Sequence, residues 1–421
     1  MSSETHRKLT ALLPLLAADP SIGTPAYIYD LDGIAADARE LVAEVGASGL
    51  VAYAVKANAA GPVVRAVARE GCGADVVSGA ELLLALACGI TPARIVYSGV
   101  AKTDAELDLA IGHGICAIQA ESLEELDRIA ARATAAGKVA RVSIRVNPDL
   151  DAGDIGTHAH ITTGHDEAKF GVPAADVDLA IARALAAGAL SFVGVACHVG
   201  SQLTSVEPYV QSARTLFGVA VRARAAGAAL EFVDPGGGFG IDYGAGCPVR
   251  PADFVRATRE AMRGAGVEGL ALHVEPGRSL SASHGVLVAR VIQSKETRAA
   301  ATARRWLMID AGMNDLLRPA LYQARHRIVG VVGGSGPLVP WRVVGPVCES
   351  SCDFGEHQLP STPPTLVAIL DAGAYGYTMA SQYNGRALPV EAFVRGGKVV
   401  AQTTRASRTA WADERAAILE G

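Results

Sequence analysis

At 421 residues, half of them hydrophobic and 19% charged, the chain exceeds one small domain and fits two domains, or one barrel with an appendage. Its 38 basic and 43 acidic residues give a net charge of -5 with no basic tract, which excludes a nucleic-acid or anionic-membrane surface and leaves small molecules as the expected partners. No stretch reaches the roughly 18 apolar residues of a membrane span. Met1 to Pro20 lacks a cationic segment followed by an apolar run, and the seven cysteines are odd in number and scattered, so a soluble, cytoplasmic chain without a disulfide framework is expected.

The first strand-like run is Ala26 to Asp30. From Leu50 onward, short apolar runs alternate with alanine-rich helical stretches. Eight runs read as strands: Leu50 to Asn58, Ala74 to Ser78, Ile95 to Ser98, Ile115 to Ala120, Ala140 to Asn147, Phe192 to His198, Leu230 to Asp234 and Leu270 to Glu275. Between them, Leu123 to Ala136, Val177 to Ala187, Val210 to Ala225 and Ala252 to Gly264 carry apolar residues at helical spacing. This alternation predicts an α/β fold with a (β/α)8 TIM barrel over 36–284, a doubly wound open sheet being the alternative. From about Val286 the runs Gly285 to Ile292, Arg305 to Asp310, Trp341 to Val347, Thr365 to Asp371 and Ala392 to Val400 follow one another with turns instead of helices. They predict a C-terminal antiparallel β-barrel-like domain over 285–421. The N-terminal segment 1–35 is expected to add its strand to that domain. Val332 to Pro340, rich in glycine and proline, reads as a loop or hairpin turn.

The distinctive polar residues fall where the predicted barrel strands end, which is where barrel active sites lie. Lys56 closes the apolar run Val51-Ala-Tyr-Ala-Val-Lys-Ala-Asn58; either it snorkels to water, or burial frees its amine to form a Schiff base with an aldehyde cofactor such as pyridoxal phosphate. Asp75 and Ser78 lie in the second strand, and Arg145 and Asn147 close the fifth. His198 and Ser201 follow the sixth, Asp234 to Gly238 the seventh, and Glu275 to Arg278 the eighth. Gly236, Gly237 and Gly238, with Gly277 and Arg278, can bring backbone N–H groups against a phosphate, although three glycines in a row also make a flexible turn. Glu275 is either a solvated carboxylate or the group that keeps a pyridine nitrogen protonated. His198 is either a core histidine or a flat ring stacked on that pyridine.

The segments YAVKAN, ADVVSGAEL, RVNP, HVGSQ, DPGGGFG, EPGRS, DAGMNDLLRPALY, GPVCES and DAGAYG, in this order over nearly the whole chain, resemble the fold type III pyridoxal-phosphate decarboxylases, and among them the diaminopimelate decarboxylases. The resemblance implies an alanine-racemase-like barrel, a C-terminal β domain, pyridoxal 5'-phosphate as cofactor, and a homodimer with shared active sites. It makes Lys56 the Schiff-base lysine and His198 the residue on the cofactor face. It sets Ser201, Gly237, Gly238, Gly277 and Arg278 at or near the phosphate, Glu275 on the pyridine nitrogen, and Asp75 and Arg145 in support of the lysine. Tyr375 is implied to touch cofactor and substrate, Arg278, Arg318, Tyr322 and Glu349 to bind substrate, and Cys348 to be a proton donor offered to the neighbouring subunit. A plain buried cysteine is the other reading of Cys348. A metal pair of Cys348 with Cys352 lacks a second Cys/His pair at suitable spacing, and no metal is expected.

Two departures from the family pattern stand out. Cys348-Glu-Ser-Ser-Cys-Asp353 is one residue longer than the usual Cys-Glu-Ser-Gly-Asp, and Asp151 to Thr157 is slightly long beside the active-site loop His158 to Gly164 and Lys169 to Gly171. The expected activity is decarboxylation of meso-diaminopimelate to lysine. The same chemistry on ornithine, arginine, carboxynorspermidine or a secondary-metabolite diamino acid is the alternative, and a non-catalytic binding protein of the same fold a more distant one.

Overall fold

The chain's early apolar runs pair in parallel and close on themselves. The computed structural model describes residues 2–148, 169–247, 249–297, 304–405 and 407–417, which fall into two units. One unit is Ala35–Ile241 with Cys247–Leu280; the other is Met1–Ile34, Asp242–Gly246 and Ser281–Gly421. The first strand, β1 (Ala26–Asp30), belongs to the latter.

In the barrel unit the strands are β2 (Leu50–Ala54), β3 (Gly73–Val76), β4 (Ile95–Tyr97), β5 (Ala117–Ala120), β6 (Ala140–Arg145), β7 (Leu190–Ala196), β8 (Phe232–Asp234) and β9 (Ala271–Val274). Pairing of Leu50 with His273 and of Val51 with Val274 joins β2 to β9 and closes the ring, which rules out the open sheet. β2, β3, β4 and β5 are buried along their whole length, as parallel strands covered by helices must be. The helices start where the sequence supplies caps. Ser122 accepts the Glu125 N–H at 3.1 Å, and Thr103 with Glu106 forms a reciprocal capping box before Asp104–His113. Ser78, expected inside a strand, is such a cap, accepting the Glu81 N–H at 3.2 Å. Most of the strands are shorter than the apolar runs; β2 stops at Ala54 and a single 3-10 turn, Val55–Ala57, carries Lys56. Inside the barrel Phe232 is 1% exposed, stacks on His273 at 4.0 Å, and packs with Leu50, Ala52, Val96, Ala117 and Val193.

The second unit is built from β1 with β10 (Gly285–Glu296), β11 (Arg305–Ile309), β12 (Ile328–Val344), β13 (Asp353–Ile369), β14 (Val390–Arg395) and β15 (Lys398–Gln402). Their order is β11-β12-β13-β10-β1-β14-β15, and β10 also pairs β11, so four of the strands close a small ring. Most pairs are antiparallel as expected, but β1–β14 and β11–β12 are parallel. The reason is connection length. β11 reaches β12 through a crossover that includes the helix Arg318–Tyr322, and β1 arrives from the far end of the chain to lie between β10 and β14.

Val332 to Pro340, expected as a turn, is instead strand, with Leu338 paired to Pro360 and Val339 to Leu359. Register shifts at Gly330/Val332, Val332/Gly333 and Ser335/Leu338 absorb the glycines and prolines as bulges. Ala392 to Val400, expected as one strand, is a hairpin folded at Gly396 and Gly397, whose φ angles of 57° and 74° suit a two-residue turn. Leu9 and Leu13 of the helix Ser2–Ala18 pack with Ile28, Val286, Val288, Ala368, Val390 and Ala392.

Because Phe232 fills the barrel interior, Phe232→Ala leaves a cavity there. It is expected to lower stability by about 3–5 kcal/mol, read as the shift in a urea unfolding midpoint at unchanged slope.

Candidate active site

Every expected site residue of the barrel unit lies at the C-terminal end of a strand or in the loop that follows. Lys56 Nζ donates to Asp75 Oδ2 at 2.7 Å, and Asp75, fully buried on β3, also accepts the hydroxyl of Ser98. The lysine side chain is 40% exposed. The carboxylate of Asp75 orients the amine. Arg145 Nη1 donates to Glu121 Oε1 at 2.8 Å, and Glu121 Oε2 accepts the Gly171 N–H at 2.7 Å, so the start of the segment after the active-site loop is tied to β5 and β6. The Arg145 guanidinium also lies 4.9 Å from the Phe170 ring centroid. Asp151 to Thr157 and His158 to Gly164 lie outside the described residues.

His198 is half-buried, and its Nδ1 faces the Gly237 N–H at 3.4 Å. Burial, with Arg145 and then Lys56 nearby, lowers its pKa to about 3, which favours the neutral, flat imidazole. Glu275, 8% exposed, accepts from Gln119 Nε2 at 2.7 Å. Its carboxyl is pushed well above the usual range by burial and then by the charges of Asp234 and Asp75. Asp234, fully buried, is raised to about 7, chiefly by desolvation and opposed by the Gly236 N–H it accepts. Three carboxyls thus crowd one strand-end cluster with Lys56 and Arg145 as its cations. Such a group holds protons that isolated carboxyls release.

The glycines are required by close approach. A Cβ at Gly237 would sit 1.9 Å from the Glu275 carbonyl oxygen, and one at Gly238, where φ is +94°, 2.2 Å from that of Gly200. Arg278 is 7% exposed and donates from Nη2 to Ser201 Oγ at 2.8 Å. Next to it the hydroxyl of Ser279 is buried and has no hydrogen-bond partner among the described residues. An amine on an oriented lysine, a glycine cradle with an arginine and an orphaned hydroxyl, a neutral flat ring and a proton-holding carboxyl together fit pyridoxal phosphate. Gln119, Glu121 and Ser98 were not anticipated. Each is a partner of an anticipated residue, and only its position at the end of a predicted strand could have flagged it.

In the second unit Arg318 is 6% exposed at the start of Arg318–Tyr322, with Tyr322 half-buried at its end. Tyr375 is half-buried with φ +54°, a left-handed conformation. Of the seven cysteines five are buried, whereas Cys348 is exposed, against the reading of a plain buried thiol. Its backbone N–H donates to Asn384 Oδ1 at 3.0 Å, and neighbouring Glu349 accepts from Tyr383 Oη at 2.6 Å. Cys352 is buried and accepts the Met313 N–H at 3.3 Å. Ser350, Ser351 and Asp353 line an open cleft of about 290 Å³ together with Pro319, Gln323 and Arg342.

A closed barrel carrying this lysine, cradle and carboxyl set defines a pyridoxal-phosphate enzyme. Residues 31–282 match the family model of the pyridoxal-dependent decarboxylases' pyridoxal binding domain. The chain is 40% identical over 394 residues to the diaminopimelate decarboxylase of Zymomonas mobilis, covering 92% of this chain and 90% of that one. Among solved structures, the Helicobacter pylori diaminopimelate decarboxylase complexed with L-lysine aligns with a TM-score of 0.86 at 36% identity, over 93% of this chain and 96% of that one. The M. jannaschii enzyme, also in complex with L-lysine, aligns with a TM-score of 0.85 at 33% identity, over 96% and 94%. The chain belongs to the pyridoxal-dependent decarboxylases and, within them, to the diaminopimelate decarboxylase family.

The buried carboxyls give a pH signature. Asp234 has an ordinary value of 3.8 in the unfolded chain and about 7 in the folded one, so its ionisation opposes folding. Its contribution to stability is fully present below the lower value, is lost as pH rises toward the higher, and is constant beyond it. Cofactor-free protein is expected to melt at progressively lower temperature across that window, and Asp234→Asn to flatten part of the slope; calorimetry at a series of pH values checks this.

Proposed function

We propose that the chain catalyses the pyridoxal-phosphate-dependent decarboxylation of meso-diaminopimelate to L-lysine and carbon dioxide, the last step of lysine biosynthesis. The observation that carries the chemistry is the Lys56 amine oriented by Asp75 at 2.7 Å in the same cluster as the buried Glu275. Support for the substrate comes from the named activity of the Zymomonas mobilis relative and from L-lysine in the two solved relatives.

When bound, pyridoxal phosphate supplies the electron sink that takes the pair released as the carboxylate leaves as carbon dioxide. Lys56 presents Nζ to the cofactor's aldehyde, and Asp75 fixes the direction of approach. Gln119 Nε2 donates to Oε1 of Glu275 and orients the carboxyl, whose raised proton affinity would let it share a proton with the ring nitrogen of the bound cofactor. His198 offers the face of a neutral ring. Gly237, Gly238, Gly277, Ser201 and Arg278 would hold the phosphate, and Arg145 supports the cluster through Glu121.

A diamino dicarboxylate needs cations for the carboxylate it keeps and an anion for its distal ammonium. Arg278 and Arg318 supply the first and Glu349 the second, with Tyr322 and Tyr375 completing the substrate contacts. The exposed thiol of Cys348 is the acid that returns a proton to the α-carbon. The working form is a homodimer in which Cys348 serves the neighbouring subunit, in the cytoplasm. Consistent with the last point, no helix among the described residues is long and apolar enough to cross a membrane.

Cofactor-loaded protein is expected to release carbon dioxide and lysine from meso-diaminopimelate and to leave ornithine largely untouched. Equal or faster turnover of ornithine would transfer the assignment to another diamino acid. Lys56→Ala is expected to lose the visible absorbance of the bound cofactor along with turnover, a comparison made by spectrum before and after desalting.

A further inference from the structure

Arg318 is held in place from three directions within its own unit. Its Nη1 donates to Tyr243 Oη at 2.9 Å and meets His326 Nε2 at 2.8 Å, while its Cζ lies 4.9 Å from the centroid of the Tyr243 ring. The Tyr243 ring in turn meets the His326 imidazole edge-on, with centroids 5.3 Å apart.

The direction of each hydrogen bond follows from the chemistry of the groups. His326, 3% exposed, has its other nitrogen, Nδ1, 2.9 Å from the Leu370 carbonyl oxygen. A carbonyl only accepts, so the ring hydrogen is on Nδ1, and Nε2 is left as an acceptor. A guanidinium only donates, and it does not give up its proton in a protein. The chain therefore runs one way, from Arg318 Nη1–H to Nε2 and from Nδ1–H to the Leu370 carbonyl. The residue that follows the histidine is anchored as well. The Leu370 N–H donates to the Arg327 carbonyl at 2.8 Å, and Arg327 Nη2 donates to the buried Asp371 at 2.8 Å.

We infer that His326 and Tyr243 are positioning residues that clamp the Arg318 guanidinium in the orientation that receives the substrate's retained carboxylate. This rests on the assignment of Arg318 to that carboxylate. A free arginine loses rotamer entropy whenever it is fixed on a ligand; here that ordering is met when the protein folds, so the carboxylate encounters an already oriented fork. The retained carboxylate is present in substrate, transition state and product alike. Loosening the clamp should therefore weaken binding uniformly, raising KM and weakening inhibition by lysine by the same factor while kcat stays. A merely structural role would not produce that split.

The test is steady-state decarboxylation by holoenzyme with lysine as product inhibitor. His326→Leu is expected to raise KM about tenfold and the lysine inhibition constant equally, with kcat within about twofold of the parent. Gln carries an acceptor near the position of Nε2 and Asn near that of Nδ1, so His326→Gln should restore KM and His326→Asn should not. This pair decides the matter even if the leucine variant fails to fold. Tyr243→Phe keeps the ring under the guanidinium and loses the hydroxyl, and a rise of about threefold in KM is expected. An unchanged KM in His326→Leu, a loss confined to kcat, or equal KM in the Gln and Asn variants overturns the clamp. Arg318→Lys separates the two levels: parental KM and lysine inhibition in that variant overturn the carboxylate assignment and the clamp with it. Loss there, with parental values in all His326 variants, overturns the clamp alone.

Discussion

The 2.7 Å pair between Lys56 and Asp75 is the constraint on which the barrel mouth depends. Asp75 is fully buried, and a buried carboxylate is tolerated only when its charge is answered. The lysine amine and the Ser98 hydroxyl answer it. The benefit runs in the other direction as well. An amine on four flexible bonds would sample many directions in a 40% exposed setting, and the carboxylate selects one. The same negative charge raises the proton affinity of Glu275 and of Asp234. One side chain on β3 thus both aims the lysine amine and helps to keep a proton on the carboxyl of the β9 loop.

Positioning of this kind needs a rigid frame, and the barrel provides it by burying strands on both faces. The shortness of the strands matters too. Because β2 ends at Ala54, the chain turns once through Val55–Ala57, and Gly277 packs against Ala57 so closely that an added Cβ would lie 2.9 Å from its side chain. The lysine-bearing turn and the phosphate-side loop are therefore locked together. At Gly237 and Gly238 the same tightness allows the main chain to approach where any side chain would collide with a carbonyl.

Much of this was legible because barrel strands are apolar until their ends, so a lysine, an arginine, a histidine or a carboxylate at the end of such a run stands out by contrast. The same contrast left two readings of Lys56 open, since an apolar run says what flanks a residue and not where its side chain points. It gave no warning of Gln119, an uncharged residue whose role exists only through a partner 156 positions away. Glycine and proline signalled a turn in Val332 to Pro340, where the long β12–β13 pair tolerates them as bulges. In Arg395-Gly-Gly-Lys398 the turn signal was genuine and passed over inside an apolar run. The parallel insertion of β1 beside β14 depends on a pairing between the two ends of the chain, which local pattern cannot express.

The segment Cys348 to Asp353, which the sequence reads as one residue longer than the family pattern, combines exposed and buried positions. Both of its ends are fixed. At the start, the Cys348 N–H is held by Asn384 and the Glu349 carboxylate by Tyr383. At the end, the Cys352 carbonyl accepts the Gly345 N–H, its thiol accepts from Met313, and Asp353 is paired with Arg342 and caps the Gly355 N–H. Between these anchors stand only Ser350 and Ser351, which are exposed and line the cleft beside Pro319 and Gln323. Even there the chain is bonded, the Ser351 carbonyl accepting the Asp353 N–H at 2.8 Å and its hydroxyl donating to the Met313 sulfur at 3.5 Å. Cys352 is thus an anchor of the segment, buried where Cys348 is exposed.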